Sequence, residues 1–342
     1  MSIRLKKLPD QIMVITGATS GIGLTTARLA AKGGAKLVLA ARNESALRDL
    51  VQEIRADGGT AEFIVADVGI EEGVRGIARV AVEKFGGFDT WVNNAGSSIY
   101  GAMAEVSTED HRRLFDTNFW GVVYGSLEAA RHFRQRGGQP CALINVGSVL
   151  SDRAIPLQGM YCASKHAVKG FTDSLRMELE HEGLAVSVSL VKPSSINTPF
   201  PQHAKNYMDE EPTLPPPLYS PDVVARAIVH CAVTPERDVT VGGGGKAIAV
   251  MGQYAPRVTD WAMEAGVFDA QMKGEAPRDP DGALHAPGGP RLVERGDYSG
   301  PVLGSSLYTA ASLHPMLTGL LAAGAGLVVA ALCVRPTSNG RH

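Results

Sequence analysis

The chain has 342 residues, 44% of them apolar and 20% charged, a globular balance that excludes wholesale disorder and collagen-like repeats. Lys and Arg number 33 against 35 Asp and Glu, a net charge of −2, so no cationic excess exists to neutralise phosphates and nucleic acid is not an expected partner. With 39 glycines and only 6% aromatic residues, the composition suits an α/β protein with tight turns, one large domain plus an appendage.

The first ten residues carry no apolar run of the secretory kind. A short apolar strand is predicted at 11–16, then a helix over 21–32 that stops at the Gly33–Gly34 pair. A buried strand at 36–41 and a helix at 44–56 follow, then a strand at 62–66, a helix at 71–85 and a strand at 89–93. One long helix is expected over 110–134, a fifth strand at 141–146, a helix at 159–181 and a sixth strand at 185–191. The next helix, 220–233, has Ser220 at its N-cap and Pro221 behind it, and a short strand at 239–241 ends the series. Alternating strands and helices with continuously apolar strands predict an α/β fold: a Rossmann-type doubly wound parallel sheet of about seven strands, covered on both faces.

Beyond residue 250 the texture changes. One amphipathic helix is expected over 256–271, and 274–301 holds 11 Pro or Gly in 28 residues and reads as a linker. Residues 316–334 are 19 without a charge, enough to span about 28 Å against a hydrocarbon core of ~30 Å. A membrane anchor, a buried helix and an interfacial helix all fit. The missing charge, the preceding linker and Arg335 after it favour the anchor, and the small-residue pairs 319/323 and 322/326 would permit close helix packing. The expected organisation is therefore a catalytic domain at 1–250, an accessory helix at 251–273, a linker at 274–312 and an anchor at 313–335. The cysteines at 141, 162, 231 and 333 are far apart, with no Cys-x-x-Cys and no His cluster, so neither a metal site nor a disulfide framework is expected.

Four motifs carry chemistry. The first strand runs into Thr16-Gly17-Ala18-Thr19-Ser20-Gly21-Ile22-Gly23 and then a helix, the context in which glycines let backbone approach a pyrophosphate at a helix N-terminus. After the second strand stands Arg42 where an acidic residue would bind a ribose 2′-hydroxyl; an arginine there favours a 2′-phosphate, hence NADP(H) over NAD(H). Asp67, with Val68 beside it, ends the third strand where a carboxylate can meet the adenine amino group, and Asn93-Asn94-Ala95-Gly96 closes the fourth. Tyr161 and Lys165 sit four apart at the start of a helix and share a face. A phenol titrates near pH 10, and a neighbouring ammonium would lower that value and suit it to acid–base work. Ser148, thirteen residues upstream, could hold a substrate oxygen beside that phenol.

Together these residues resemble the short-chain dehydrogenase/reductase family, in the branch with a core of about 250 residues, over about two thirds of the chain, 9–241. The spacing of Gly17, Gly21 and Gly23, the intact Asn-Asn-Ala-Gly and the Tyr161–Lys165 pair carry the likeness. The resemblance implies that Tyr161 exchanges a proton with the substrate oxygen, Ser148 hydrogen-bonds that oxygen, Lys165 lowers the tyrosine pKa and binds the nicotinamide ribose, and Asn118 holds a proton-relay water. It also implies cofactor contacts from Thr19, Ser20, Ile22, Asn94, Ala95, Gly96, Pro193, Ile196 and Thr198. The chain departs from the family after the sixth strand, where Pro193 is followed by Ser194 and not by Gly. Residues 200–219 are expected to form a lid, with Phe200, Tyr207, Met208, Leu214 and Leu218 lining an apolar pocket.

The expected activity is hydride transfer between NADP(H) and a carbonyl or secondary alcohol of an apolar, lipid-like small molecule. The expected assembly is a homodimer, tethered to a membrane with the catalytic domain in the cytoplasm, or else free in the cytoplasm. A dinucleotide-binding sensor or scaffold on a membrane is the competing class; the intact Ser148, Tyr161, Lys165 and Asn118 speak against it.

Overall fold

A computed structural model describes residues 3–289, 291–314 and 318. The apolar runs form seven strands: β1 (Ile12–Thr16), β2 (Lys36–Ala41), β3 (Thr60–Val65), β4 (Thr90–Asn93), β5 (Cys141–Val146), β6 (Val186–Pro193) and β7 (Asp238–Val241). They make one parallel sheet in the order β7-β6-β5-β4-β1-β2-β3. Successive side chains point to opposite faces. Met13 and Ile15 pack with α1 (Gly21–Lys32), α2 (Glu44–Ala56) and α7 (Pro221–Val233), while Val14 packs with α3 (Glu71–Phe85), α5 (Gly121–Gln135) and α6 (Gly159–His181). The order reverses at the β1–β4 boundary, and such a switch point opens a crevice at the carboxyl ends of the strands.

Local chemistry explains the helix starts. Asn43 accepts a hydrogen bond from the Ala46 N–H at 3.0 Å and caps α2. Ser107 accepts from the Asp110 N–H at 3.1 Å and caps α4 (Thr108–Phe115). Strand β6 carries Ser187, Ser189 and Lys192 among its apolar residues yet is buried throughout. The Ser189 hydroxyl donates to the Glu236 carbonyl at 2.6 Å, and Lys192 reaches Asp152 at 2.8 Å.

Three expectations are corrected. The third strand lies at Thr60–Val65, displaced from 62–66. The long helix at 110–134 is two, α4 and α5, joined by a π turn over Asp116–Trp120; apolar spacing runs through both and cannot reveal the extra residue. The single helix at 256–271 is α9 (Pro256–Gly266) plus a 3₁₀ turn, and it is preceded by α8 (Gly243–Tyr254).

The stretch read as a linker is packed down. Val302–Leu303 pairs in parallel with Leu218–Tyr219, and Leu284 is 1% exposed. The final described helix, α10 (Leu307–Leu313), lies on β7, where the Thr309 hydroxyl accepts from the Gly242 N–H at 3.0 Å. Among the described residues no helix is long and apolar enough to cross a membrane. The candidate anchor, 316–334, lies outside the described residues save Thr318.

Candidate active site

The glycine turn follows β1. Gly17 has φ +65° and Gly21 +49°, the left-handed region that only glycine enters freely. A Cβ on Gly23 would lie 2.1 Å from the Gly17 carbonyl oxygen, and one on Gly17 would lie 2.8 Å from Ala95 Cα. The turn is therefore closed against the loop after β4. Asn94 Nδ2 donates to the Thr16 carbonyl at 2.9 Å, and Thr16 Oγ1 accepts from the N–H groups of Asn94 and Ala95 at 3.0 and 3.1 Å. The result is a backbone cradle with the N-terminus of α1 at the crevice, the shape and polarity that fit a dinucleotide pyrophosphate.

Across the crevice, Ser148 follows β5, and Tyr161 and Lys165 project from the first turns of α6. All three are buried. Ser148 Oγ accepts from the Leu150 N–H at 3.0 Å, which leaves its own proton free to donate. Lys165 Nζ donates to the Val146 carbonyl at 2.9 Å and lies 5.7 Å from the Tyr161 ring centroid. Burial pushes the Lys165 ammonium down to about 8. It also raises the Tyr161 phenol, with the Ser148 hydroxyl acting in the opposite direction. The expected lowering of the phenol by Lys165 is not met in the protein alone, where loss of water governs both groups. Asn118 stands on the π turn, fully buried. Its Oδ1 accepts from the Ser97 N–H at 2.8 Å, and its Nδ2 donates to the Ser97 carbonyl at 2.9 Å and to Ser164 Oγ at 3.2 Å. Asn118 therefore fixes the loop that carries Gly96 and touches neither cavity directly.

Two cavities run along this edge and share Ser20, Gly96 and His203. The larger, about 450 Å³, brings together Gly17, Gly21, Ile22, Gly23 and Asn94 from the cradle with Ser148, Tyr161 and Lys165. Pro193, Ile196 and Thr198 from the end of β6 complete its floor. The smaller, about 120 Å³, holds Thr19 and Arg42.

Of the expected cofactor contacts, Asp67, Val68 and Ala95 line neither cavity, and Arg42 lines the smaller one with its guanidinium already engaged. Arg42 is turned to the C-terminal segment, donating to the carbonyls of Ala283 and Leu284. Asp67 pairs with Arg113 at 2.5 Å and accepts from the Gly69 N–H at 2.9 Å, so the carboxylate is engaged away from both cavities. Val68 packs on Gly121, where a Cβ would lie 2.8 Å from its methyl.

The lid forms only in part. Phe200 and Leu214 line the larger cavity, and the Phe200 ring stands 5.6 Å from that of Tyr161. Tyr207 instead donates its hydroxyl to Asp110 Oδ2 at 2.5 Å, and Leu218 is buried in a strand pair. The opposite wall comes from residues no local motif marks: Ile248 of α8, Met263 of α9, and Val267 and Ala270 beyond it. Gln158 also faces the cavity, clamped by Gln271 at 2.8 Å.

The short chain dehydrogenase family model matches residues 11–208, more than half of the chain. The chain belongs to the short-chain dehydrogenase/reductase family. YxnA of Bacillus subtilis, described as an uncharacterized oxidoreductase, is 46% identical over 94% of this chain and 90% of its own. An 11-beta-hydroxysteroid dehydrogenase A of Sesamum indicum is 33% identical over 73% of this chain and 74% of its own. A short-chain dehydrogenase/reductase of Burkholderia phymatum, solved in complex with NAD, aligns with TM-score 0.67 and 26% identity over 74% of this chain and 96% of its own. An alcohol dehydrogenase of Thermococcus sibiricus, complexed with 5-hydroxy-NADP, shares the fold at TM-score 0.59 and 24% identity over 68% of this chain and 95% of its own. This short-chain dehydrogenase/reductase is thus an oxidoreductase by family, and residues 209–342 lie beyond the family model.

Proposed function

We propose that the chain transfers a hydride between NADP(H) and a carbonyl or secondary alcohol on an apolar small molecule. The observation that carries this reading is the convergence of Ser148, Tyr161 and Lys165 on one cavity that also holds the glycine cradle. A bound nicotinamide ring supplies the hydride chemistry. The chain's own residues do the rest. Ser148 donates to the substrate oxygen, and Tyr161, protonated at neutral pH, gives its proton to that oxygen as negative charge develops there. Lys165 provides the positive field behind the phenol. Asn118 keeps Gly96 and Ser97 in place. Met263, Val267, Ala270, Ile248 and Leu214 make the far wall apolar and keep water from the reacting oxygen.

Membrane attachment through 316–334, with this domain on the cytoplasmic side, and pairing into a homodimer belong to the same proposal. The central test is NADPH oxidation with a series of ketones graded in size and polarity. Turnover is expected with bulky apolar ketones and little with sugars. Absence of turnover across the series, with NADPH bound, would favour the sensor reading.

A further inference from the structure

We propose that Arg291, carried by the C-terminal segment, is the cation that reads the adenosine 2′-phosphate, and that Arg42 holds this segment closed over the nucleotide. The inference rests on the NADP(H) reading above and reassigns which arginine does the reading.

Residues 283–289 and 291–294 cross the adenosine end of the crevice as a strap. The strap is fastened by residues of the first half of the chain. Arg42 donates to the carbonyls of Ala283 and Leu284, and Arg113 to that of Leu284 at 3.1 Å. Asn43 Nδ2 donates to the Gly288 carbonyl at 2.9 Å, and the Gly21 N–H to that of Val293 at 2.9 Å. Arg28 pairs with Glu294 at 2.8 Å. Beneath the strap remains the smaller cavity, with Thr19 and Ser20 on one side and Gly288 and Arg291 on the other. It joins the nicotinamide end through Ser20, Gly96 and His203.

A 2′-phosphate needs a cation with free N–H groups. The terminal nitrogens of Arg42 are engaged by strap carbonyls. Arg113 is held by Asp67 at 2.5 Å. His203 at the junction is kept neutral by burial and by Arg42. On the strap, Glu294 and Arg295 both have ion-pair partners, Arg28 and Asp222. Arg291 faces the cavity, is exposed, and has no ion pair among the described residues. Its guanidinium has no partner among the described residues, whereas Arg42 already spends an N–H of each terminal nitrogen on the strap. A strap closed by Arg42 then brings that cation to the phosphate.

The test is binding of 2′,5′-ADP against 5′-AMP, followed by calorimetry on the full chain. These probes share the adenosine and 5′-phosphate and differ only in the 2′-phosphate. R291A is expected to weaken 2′,5′-ADP at least tenfold and leave 5′-AMP unchanged, with R291K intermediate. R42A is expected to weaken both ligands alike, because it loosens the strap. Loss of 2′,5′-ADP selectivity in R42A with R291A unchanged overturns the assignment, as does equal weakening of both ligands in R291A. Equal affinity of the wild-type chain for the two ligands overturns the NADP(H) reading itself.

Discussion

Ser194 shows how one departure from the family pattern is accommodated. Its Cβ occupies space that Gly242 and Gly245 leave open. A Cβ on Gly245 would lie 3.0 Å from Ser194 Cβ and 2.6 Å from Val149 Cγ1, and one on Gly242 would lie 2.8 Å from Ser194 Cβ. The side chain gained at 194 is matched by side chains absent from the start of α8. Gly245→Ala is therefore expected to lower stability by about 1–3 kcal/mol, the usual cost of overpacking, with partial recovery in the double variant with Ser194→Gly; chemical denaturation reads both. At the reacting oxygen, Tyr161→Phe removes only the phenolic proton. Turnover is expected to fall about 10²–10⁴-fold while NADPH affinity, measured by fluorescence titration, holds. Lys165 gives a stability signature of its own. Its folded pKa, about 8, lies below the ordinary lysine value of 10.5, so between those values the unfolded chain binds a proton that the folded chain does not. Stability should rise with pH across that window by up to about 3 kcal/mol, and Lys165→Met should flatten the rise in urea melts at pH 8 and 10.

At the level of elements, the β-α alternation was legible because most strands are short apolar runs and α1, α2, α3 and α7 each have a cap or a glycine stop. The cradle and the Tyr161–Lys165 pair were legible because their parts lie within eight residues of one another along the chain. The cavity's far wall was not. Met263 comes to line the same cavity as Tyr161, and Gln271 meets Gln158, only through the fold, and nothing in their own neighbourhoods marks them. The π turn at Asp116–Trp120 and the engagement of Asp67 by Arg113 were hidden for the same reason. Gln271 is a sharp test of that docking. It is fully buried, donates to the Pro156 and Val267 carbonyls at 3.1 Å each, and accepts from Gln158. Gln271→Ala should cost about 1–3 kcal/mol by leaving buried groups unpaired and should raise KM for the ketone more than it changes NADPH affinity.

For the whole molecule, the segment read as a linker from its Pro and Gly content is part of the folded body. Composition reported how the backbone turns and was silent on the side chains, 171 to 266 residues away in sequence, that fasten it. This moves the boundary at which a tail can be removed. A chain ending at His314 keeps α10 and its contacts on β7, whereas one ending near Gly300 loses Thr309 and the Val302–Leu303 pair. If 316–334 enters a bilayer, the full chain should sediment with membranes and resist high salt, because apolar burial is not screened, and the 1–314 chain should stay in the supernatant and bind NADPH. A full chain that is monodisperse without detergent would end the anchor proposal.

The strap also sets an order of events in time. Its fasteners Arg28, Arg42, Asn43 and Arg113 precede the residues they hold by 171 to 266 positions. Contacts of such long sequence separation form late in folding, so the nucleotide crevice stays open until the strap docks. A dinucleotide present at that stage would be enclosed as folding completes. Protein refolded in the presence of NADPH should accordingly retain more of it through desalting than folded protein given the same NADPH afterwards.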